Sequence, residues 1–220
     1  FGWKANSFDV RQQSAEAAYF DLGMNNPLFF YRYDDQQKDH KARQNCEPEQ
    51  LDCLQAQQND DFEMTPAQLT DVTTYLQTLG VVYRRDVKNP VALKGEELFA
   101  DAGCIACHKM NITTGESEIP RLENQLIHPY TDLLLHDMGE GLSGRPDFDA
   151  SRTEWRTQPL WGIGMIEQVN GHTNFLHDGR ARNIQEAILW HGGEAEKSKQ
   201  VYANLSKEDR ASILKFLNTL

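Results

Sequence analysis

Apolar residues recur at helical spacing in five segments of this chain, and each segment carries end signals. Asp9 to Leu22 forms a first expected helix, with Asn6 or Ser7 near its start and Gly23 at its end. Thr65-Pro66-Ala67-Gln68 is a capping box with proline at the first helical position. The helix it opens carries Leu69, Val72, Thr73, Leu76 and Leu79 and stops at Gly80. Val91 to Gly103 places Leu93, Leu98 and Phe99 roughly on one side of a third helix. Asn183, with Glu186 three positions on, caps a helix through Ala187, Ile188, Leu189 and Trp190 that ends at His191-Gly192-Gly193. Ser206 and Asp209 cap the last helix, whose apolar face is Ile213, Leu214, Phe216, Leu217 and Leu220.

Between these segments the pattern dissolves. Residues 24–64 read as mostly irregular: Pro27, the aromatic group Phe29, Phe30 and Tyr31, and the charged run Arg32–Arg43 suggest a long surface excursion. A loop of that length is unusual unless it covers something. Residues 110–182 are rich in glycine and proline and read as loops and short turns. Strand alternation is nearly absent. The expected fold is mainly α with long irregular loops, divided into an N-terminal helical and loop segment (1–85) that packs on a second domain (86–220).

The chemistry concentrates in Cys104-Ile105-Ala106-Cys107-His108. Two thiols three positions apart, followed directly by an imidazole, have the spacing that attaches a c-type haem. Each cysteine adds to one vinyl group of the porphyrin, and the histidine then lies beneath the ring within reach of the iron. A thioredoxin-like redox pair would need a strand leading into the motif, whereas a helix and Gly103 precede it. A zinc site would need further ligands, for which only His128 and His136 offer themselves. A helix before the motif, packed across a terminal helix, is the cytochrome c arrangement, so 86–220 is read as a cytochrome c-like haem domain.

The other two cysteines, Cys46 and Cys53, lie in a polar stretch unable to bury much apolar area, and a disulfide between them would pin it. Both cysteine pairs point to an exported compartment, periplasmic or equivalent. A formal charge of -11, from 22 basic and 33 acidic residues, argues against nucleic acid and suits a basic or neutral redox partner. No run of about 18 apolar residues is present to span a membrane. The chain starts at Phe1-Gly2-Trp3-Lys4 without an initiating methionine, so a preceding segment is expected to have been removed.

Opposite His108, the candidates for the second axial position are Met110, Met138, Met165, His128, His136, His172, His177 and His191. Met110 is too near in sequence to cross the ring. His191 is favoured, because it ends an apolar helix and the glycines beside it permit close approach of backbone to the macrocycle. The competing reading is a surface histidine at a helix C-terminus. His177-Asp178-Gly179-Arg180 and His136-Asp137-Met138-Gly139 are polar clusters in which His177 or His136 is a candidate acid–base group; the competing reading is a plain turn. Arg156, Arg180 and Arg182 are candidate partners of the haem propionates. Trp155, Trp161 and Trp190 read as pocket packing.

Taken together, these segments resemble the bacterial di-haem cytochrome c peroxidase and MauG superfamily, closest to its branch of di-haem "thiol oxidoreductases". The matching stretches are Phe1–Ala5, Asn26–Phe29, Leu98–His108, His128–Gly139, Trp155–Gly162, Phe175–Arg180 and Glu186–Gly193. The resemblance implies a two-domain, two-haem protein of which this chain matches the C-terminal half. A missing N-terminal haem domain, or an equivalent redox partner, and a small electron-carrier protein are the implied partners. His191 stands where those peroxidases carry a methionine ligand and MauG a tyrosine. Met138 is the alternative ligand, because its His-Asp-Met-Gly element belongs to this branch. A calcium ion is implied by the resemblance only. The function expected is electron transfer through a covalently attached haem c within a di-haem oxidoreductase. Peroxide reduction at this haem, and a redox-inactive haem-binding module, are the alternatives. Literal thiol oxidoreduction is not expected, since the haem consumes Cys104 and Cys107.

Overall fold

A computed structural model describes residues 1–29 and 62–220. Cys46 and Cys53, with the disulfide expected between them, lie outside the described residues. Helices dominate, and the strands are only two or three residues long, so the protein is mainly α as expected. The chain forms two compact units, one of Phe1 and Ser7–Leu79, the other of Gly2–Asn6 and Gly80–Leu220.

The first unit pairs α1 (Val10–Phe20) with α2 (Pro66–Gln77). Asp9 caps α1 by accepting from the Gln12 N–H at 2.6 Å, and Thr65 and Gln68 close the expected capping box on α2. Buried Asn26 fastens the chain leaving α1: its amide donates to Ala15 O, and its Oδ1 accepts from the Leu28 and Phe29 N–H groups. The segments on either side of the undescribed stretch meet through Asn25 and Glu63, each accepting from the other's backbone N–H at about 3 Å. The apolar stripe expected on α2 is corrected here. Only Leu69 and Thr73 of it are buried, while Val72, Leu76 and Leu79 are exposed.

The second unit is organised by a helix crossing. Helix α3 (Pro90–Asp101) is capped by Asn89, which accepts from the Val91 and Ala92 N–H groups. Helix α7 (Lys207–Leu217) is capped by Ser206, which accepts from the Asp209 N–H. The two pack together at Gly95, where an added Cβ would lie 1.9 Å from the Ser212 carbonyl oxygen. The buried face of α3 is therefore Ala92, Gly95 and Phe99, and the expected side with Leu93 is corrected: Leu93 is 43% exposed. Small residues face α7 because the backbones approach closely, which rotates the larger leucine outward. Phe99, Tyr130, Phe175, Ile184, Tyr202, Ile213, Phe216 and Leu217 form the core around this crossing. The shorter helices α4 (Ile166–Asn170), α5 (Ile184–Trp190) and α6 (Glu196–Asn204) surround it.

Residues 110–182 hold more order than loops alone. Strand β1 (Ile112–Thr113) pairs antiparallel with β2 (Leu126–Ile127), and β3 (Leu135–Asp137) pairs with β4 (Glu154–Arg156). In the second pair His136 stands opposite Trp155. The Gly2–Asn6 strap joins β4 through the Arg156 N–H, which donates to Trp3 O at 2.9 Å. Lys4 is buried there; its ammonium donates to the carbonyls of Ser151 and Glu154 and lies 3.6 Å from the Trp155 ring centroid. No helix among the described residues is long and apolar enough to cross a membrane.

Gly95→Ala should destabilise the second unit by about 1–3 kcal/mol or more, the usual cost of overpacking. Denaturant unfolding checks this, with Gly80→Ala, where nothing lies within 4 Å of the added methyl group, as the mild comparison.

Candidate functional site

The Cys-x-x-Cys-His segment begins where α3 ends. Gly103 takes a left-handed conformation (φ 82°) and turns the chain into a single 3₁₀ turn, Cys104–Ala106. The His108 N–H donates to Cys104 O at 2.9 Å, so cysteine and histidine share one tight local frame. Both thiols are unpaired and partly buried. Burial pushes the Cys104 thiol up to about 11. Burial raises that of Cys107 too, with the carboxylates of Asp132 and Glu194 adding to it. Both therefore stand as neutral thiols at pH 7.

Across from this segment, α5 ends at His191. The imidazoles of His108 and His191 lie with ring centroids 6.5 Å apart and ring planes tilted by 45°. His108 Nδ1 bonds the Tyr130 carbonyl at 2.9 Å, and His191 Nδ1 bonds the Ala187 carbonyl at 2.8 Å. A carbonyl only accepts, so each Nδ1 carries the proton and each Nε2 keeps its lone pair. Burial lowers the pKa of both rings, that of His108 to about 4, against the opposing pull of the backbone carbonyls. Two neutral imidazoles, each with a free Nε2 lone pair, could together hold a metal ion. An iron bonded to both at about 2 Å, as other metal–imidazole bonds are, would hold the centroids roughly 6 Å apart. The residues present fit a haem iron with two histidine ligands.

The carbonyl that orients His108 is itself held. Tyr130 has φ 53°, an uncommon conformation for a bulky residue, and its ring is buried in the core. Its hydroxyl donates to Glu96 on α3 at 3.2 Å, and Glu96 receives the Arg84 guanidinium through two bonds of 2.9 and 2.8 Å. The next residue, Thr131, is fully buried; its N–H donates to Lys109 O and its hydroxyl to Thr157 O. Neither Tyr130 nor its partners stand out in the sequence, because a left-handed tyrosine has no pattern signal.

The remaining candidates fall into separate places. His136 is held between Asp132, 2.8 Å from Nε2, and Glu194, 2.9 Å from Nδ1. Burial opposes its charge, but the two carboxylates outweigh it and raise the pKa. Ligating atoms of Cys107, Asp132 and His136 lie within 4.8 Å of one another, so this cluster adjoins the Cys104–His108 turn. His177 stacks on Trp155 with ring centroids 3.7 Å apart, and burial lowers its pKa. Arg156 donates to Gly2 O and Gln158; Arg180 donates to Asp178 and Gly141 O and lies over Trp190; Arg182 pairs with Glu186 on the surface. Met138 lies in the turn after β3, its backbone N–H donating to Thr153 O. His128 bonds Asn111 at an exposed position, and the His172 ring accepts from the Asn174 N–H.

Tyr130→Phe should cost about 1 kcal/mol, one hydrogen bond. Glu96→Ala should cost more, about 2–3 kcal/mol, because it also strands the half-buried Arg84 charge. Urea unfolding ranks the two variants, and the reverse order would contradict this account of the network.

A comparison with protein families matches residues 1–220 to the one described as "Di-haem oxidoreductase, putative peroxidase". No curated protein and no solved structure matches the chain.

Proposed function

Given that the chain belongs to the di-haem oxidoreductase family, we propose that it is a c-type haem electron-transfer domain of such an enzyme, with His108 and His191 as the axial ligands. Haem-based oxidoreductase chemistry comes with the family. The electron-relay reading rests on one observation: two partly buried imidazoles, 6.5 Å apart, each with its Nδ1–H donating to a backbone carbonyl. When bound, the haem supplies a one-electron iron couple. The protein's part is to hold both axial positions with neutral nitrogen donors and to keep water from them by burial. Cys104 and Cys107 would hold the haem through thioethers, each S–H adding across one vinyl group so that a C–S and a C–H bond replace the S–H bond and the C=C π bond.

This reading makes 86–220 a cytochrome c-like domain, with α3 leading into the haem-attachment turn and crossing the terminal helix α7. Covalent attachment argues for an exported, periplasmic location. A domain with a second haem, and a small electron carrier suited to a surface of formal charge -11, are the partners it calls for.

Peroxide reduction at this same haem is the second reading, favoured by the family's description. It requires an open axial position and an acid–base group beside it. His136 adjoins Cys107, but both of its ring nitrogens are already partnered. His177 is the other candidate, and its imidazole lies flat on Trp155. The relay reading needs no such rearrangement.

Two measurements test it. After expression with a cytochrome c assembly system, mass spectrometry of the denatured protein should retain the haem mass, and Cys104→Ser/Cys107→Ser should lose it; a parent protein that gives up all its haem to acid–acetone contradicts the attachment. In the second, the parent should give a low-spin ferric spectrum without a methionine-to-iron charge-transfer band. His191→Ala should become high-spin and bind cyanide much faster, and Met138→Ala should leave the spectrum nearly intact. The opposite pattern would assign the iron to His108 and Met138.

A further inference from the structure

The His-Asp-Met-Gly element is assigned no ligand in the proposal above, yet it meets the His191 turn more closely than any side chain would allow. A Cβ on Gly193 would lie 2.2 Å from Asp137 O, and one on Gly192 would lie 2.9 Å from Met138 O. Reciprocally, a Cβ on Gly139 would lie 2.9 Å from Gly193 N. Gly139 and Gly193 also have positive φ, 75° and 52°. Backbone therefore presses on backbone along the whole contact, and a side chain at any of the three positions would part the two turns.

A carboxylate fastens the same contact. Glu194, three residues after His191, accepts from the Asp137 N–H at 3.0 Å through one oxygen and bonds His136 Nδ1 at 2.9 Å through the other. Asp132 holds the far nitrogen of that imidazole at 2.8 Å, so His136 donates to both carboxylates and cannot swing away. Charge-assisted bonds of this kind are roughly twice as strong as neutral ones. The ties run from β3 to the residues that immediately follow His191.

We infer that Glu194 and the Gly139–Gly192–Gly193 contact form a clasp that holds His191 on the iron, and that the His136–Gly139 element serves as its receiving half. Glu194 is a positioning residue: it touches neither the iron nor a substrate, and it acts through the chain that carries His191. The inference rests on His191 as the second axial ligand. The clasp governs how often that ligand leaves, so it sets the access of external ligands to the iron rather than the resting spectrum.

Carbon monoxide reports this directly, because it binds the ferrous iron only after His191 has left. Glu194→Ala should keep the parent's low-spin spectrum at rest but bind carbon monoxide about tenfold faster or more, the loss expected of a charge-assisted pair of bonds. Glu194→Gln keeps an acceptor for the Asp137 N–H and should recover much of the slow rate, which a general loosening of the fold would not allow. Gly193→Ala should act in the same direction as Glu194→Ala. If His191→Ala turns high-spin while Glu194→Ala binds carbon monoxide at the parent's rate, the ligand assignment stands and the clasp is overturned. If His191→Ala remains low-spin, the ligand assignment fails and the clasp falls with it.

Discussion

Two backbone carbonyls, those of Tyr130 and Ala187, decide what the centre of this protein can bind. Each accepts a hydrogen bond from the Nδ1–H of a partly buried histidine and so leaves Nε2 unprotonated, with its lone pair free for a ligand bond. Without them either ring could carry its proton on the wrong nitrogen, and burial alone would disfavour charge without selecting a tautomer. The Ala187 carbonyl costs the fold little, since it lies one turn before His191 on α5. The Tyr130 carbonyl is costlier, because it requires a left-handed backbone at a bulky residue. Much of the second unit serves to hold that one residue: its ring in the core, its hydroxyl on Glu96, and the neighbouring Thr131 tied to Lys109 and Thr157.

The helix crossing at Gly95 bears on the same geometry from below. Because α3 carries both Glu96 and the exit to Gly103, its position against α7 sets where the thiols and His108 begin. A single shift of α3 would move the hydroxyl anchor of Tyr130 and the Cys104–His108 turn together. The opposing histidine belongs to a different part of the chain and is tied to β3, not to α3. The two halves of the centre are thus held by separate elements, which meet around the shared core and at the Cys107–Asp132–His136 cluster.

What the sequence made legible were features with local causes. The Cys104–His108 spacing, the caps at Thr65, Asn183 and Ser206, and the apolar face of the last helix each depend on residues a few positions apart. His191 could be singled out because a helix end and two glycines are also local signals, and the structure brings it to face His108. Helix α6 escaped notice because Tyr202 is its one buried residue, so it presents almost no apolar stripe. The strands escaped because two or three residues are too few to show alternation. Arg84, Glu96, Tyr130, Asp132 and Glu194 owe their roles to partners between 4 and 58 positions away, with nothing in their neighbours to announce it. Lys4 is the extreme case, a buried cation that any reading of composition would leave in solvent.

That lysine also bears on the order in which the protein can assemble. Its carbonyl partners lie 147 and 150 positions further along the chain, so the strap that begins the second unit cannot settle until the residues around β4 have been made. During synthesis the strap is made before its partners and has to wait through the whole first unit. Contacts of such long sequence separation are slow to form, because loop-closure entropy precedes any reward. A fragment starting at Gly80 would never receive the strap, and the face of Trp155 with its surrounding carbonyls would stay open to water. The strap is made long before the carbonyls that hold it, and on this topology it locks onto the second unit only once β4 exists.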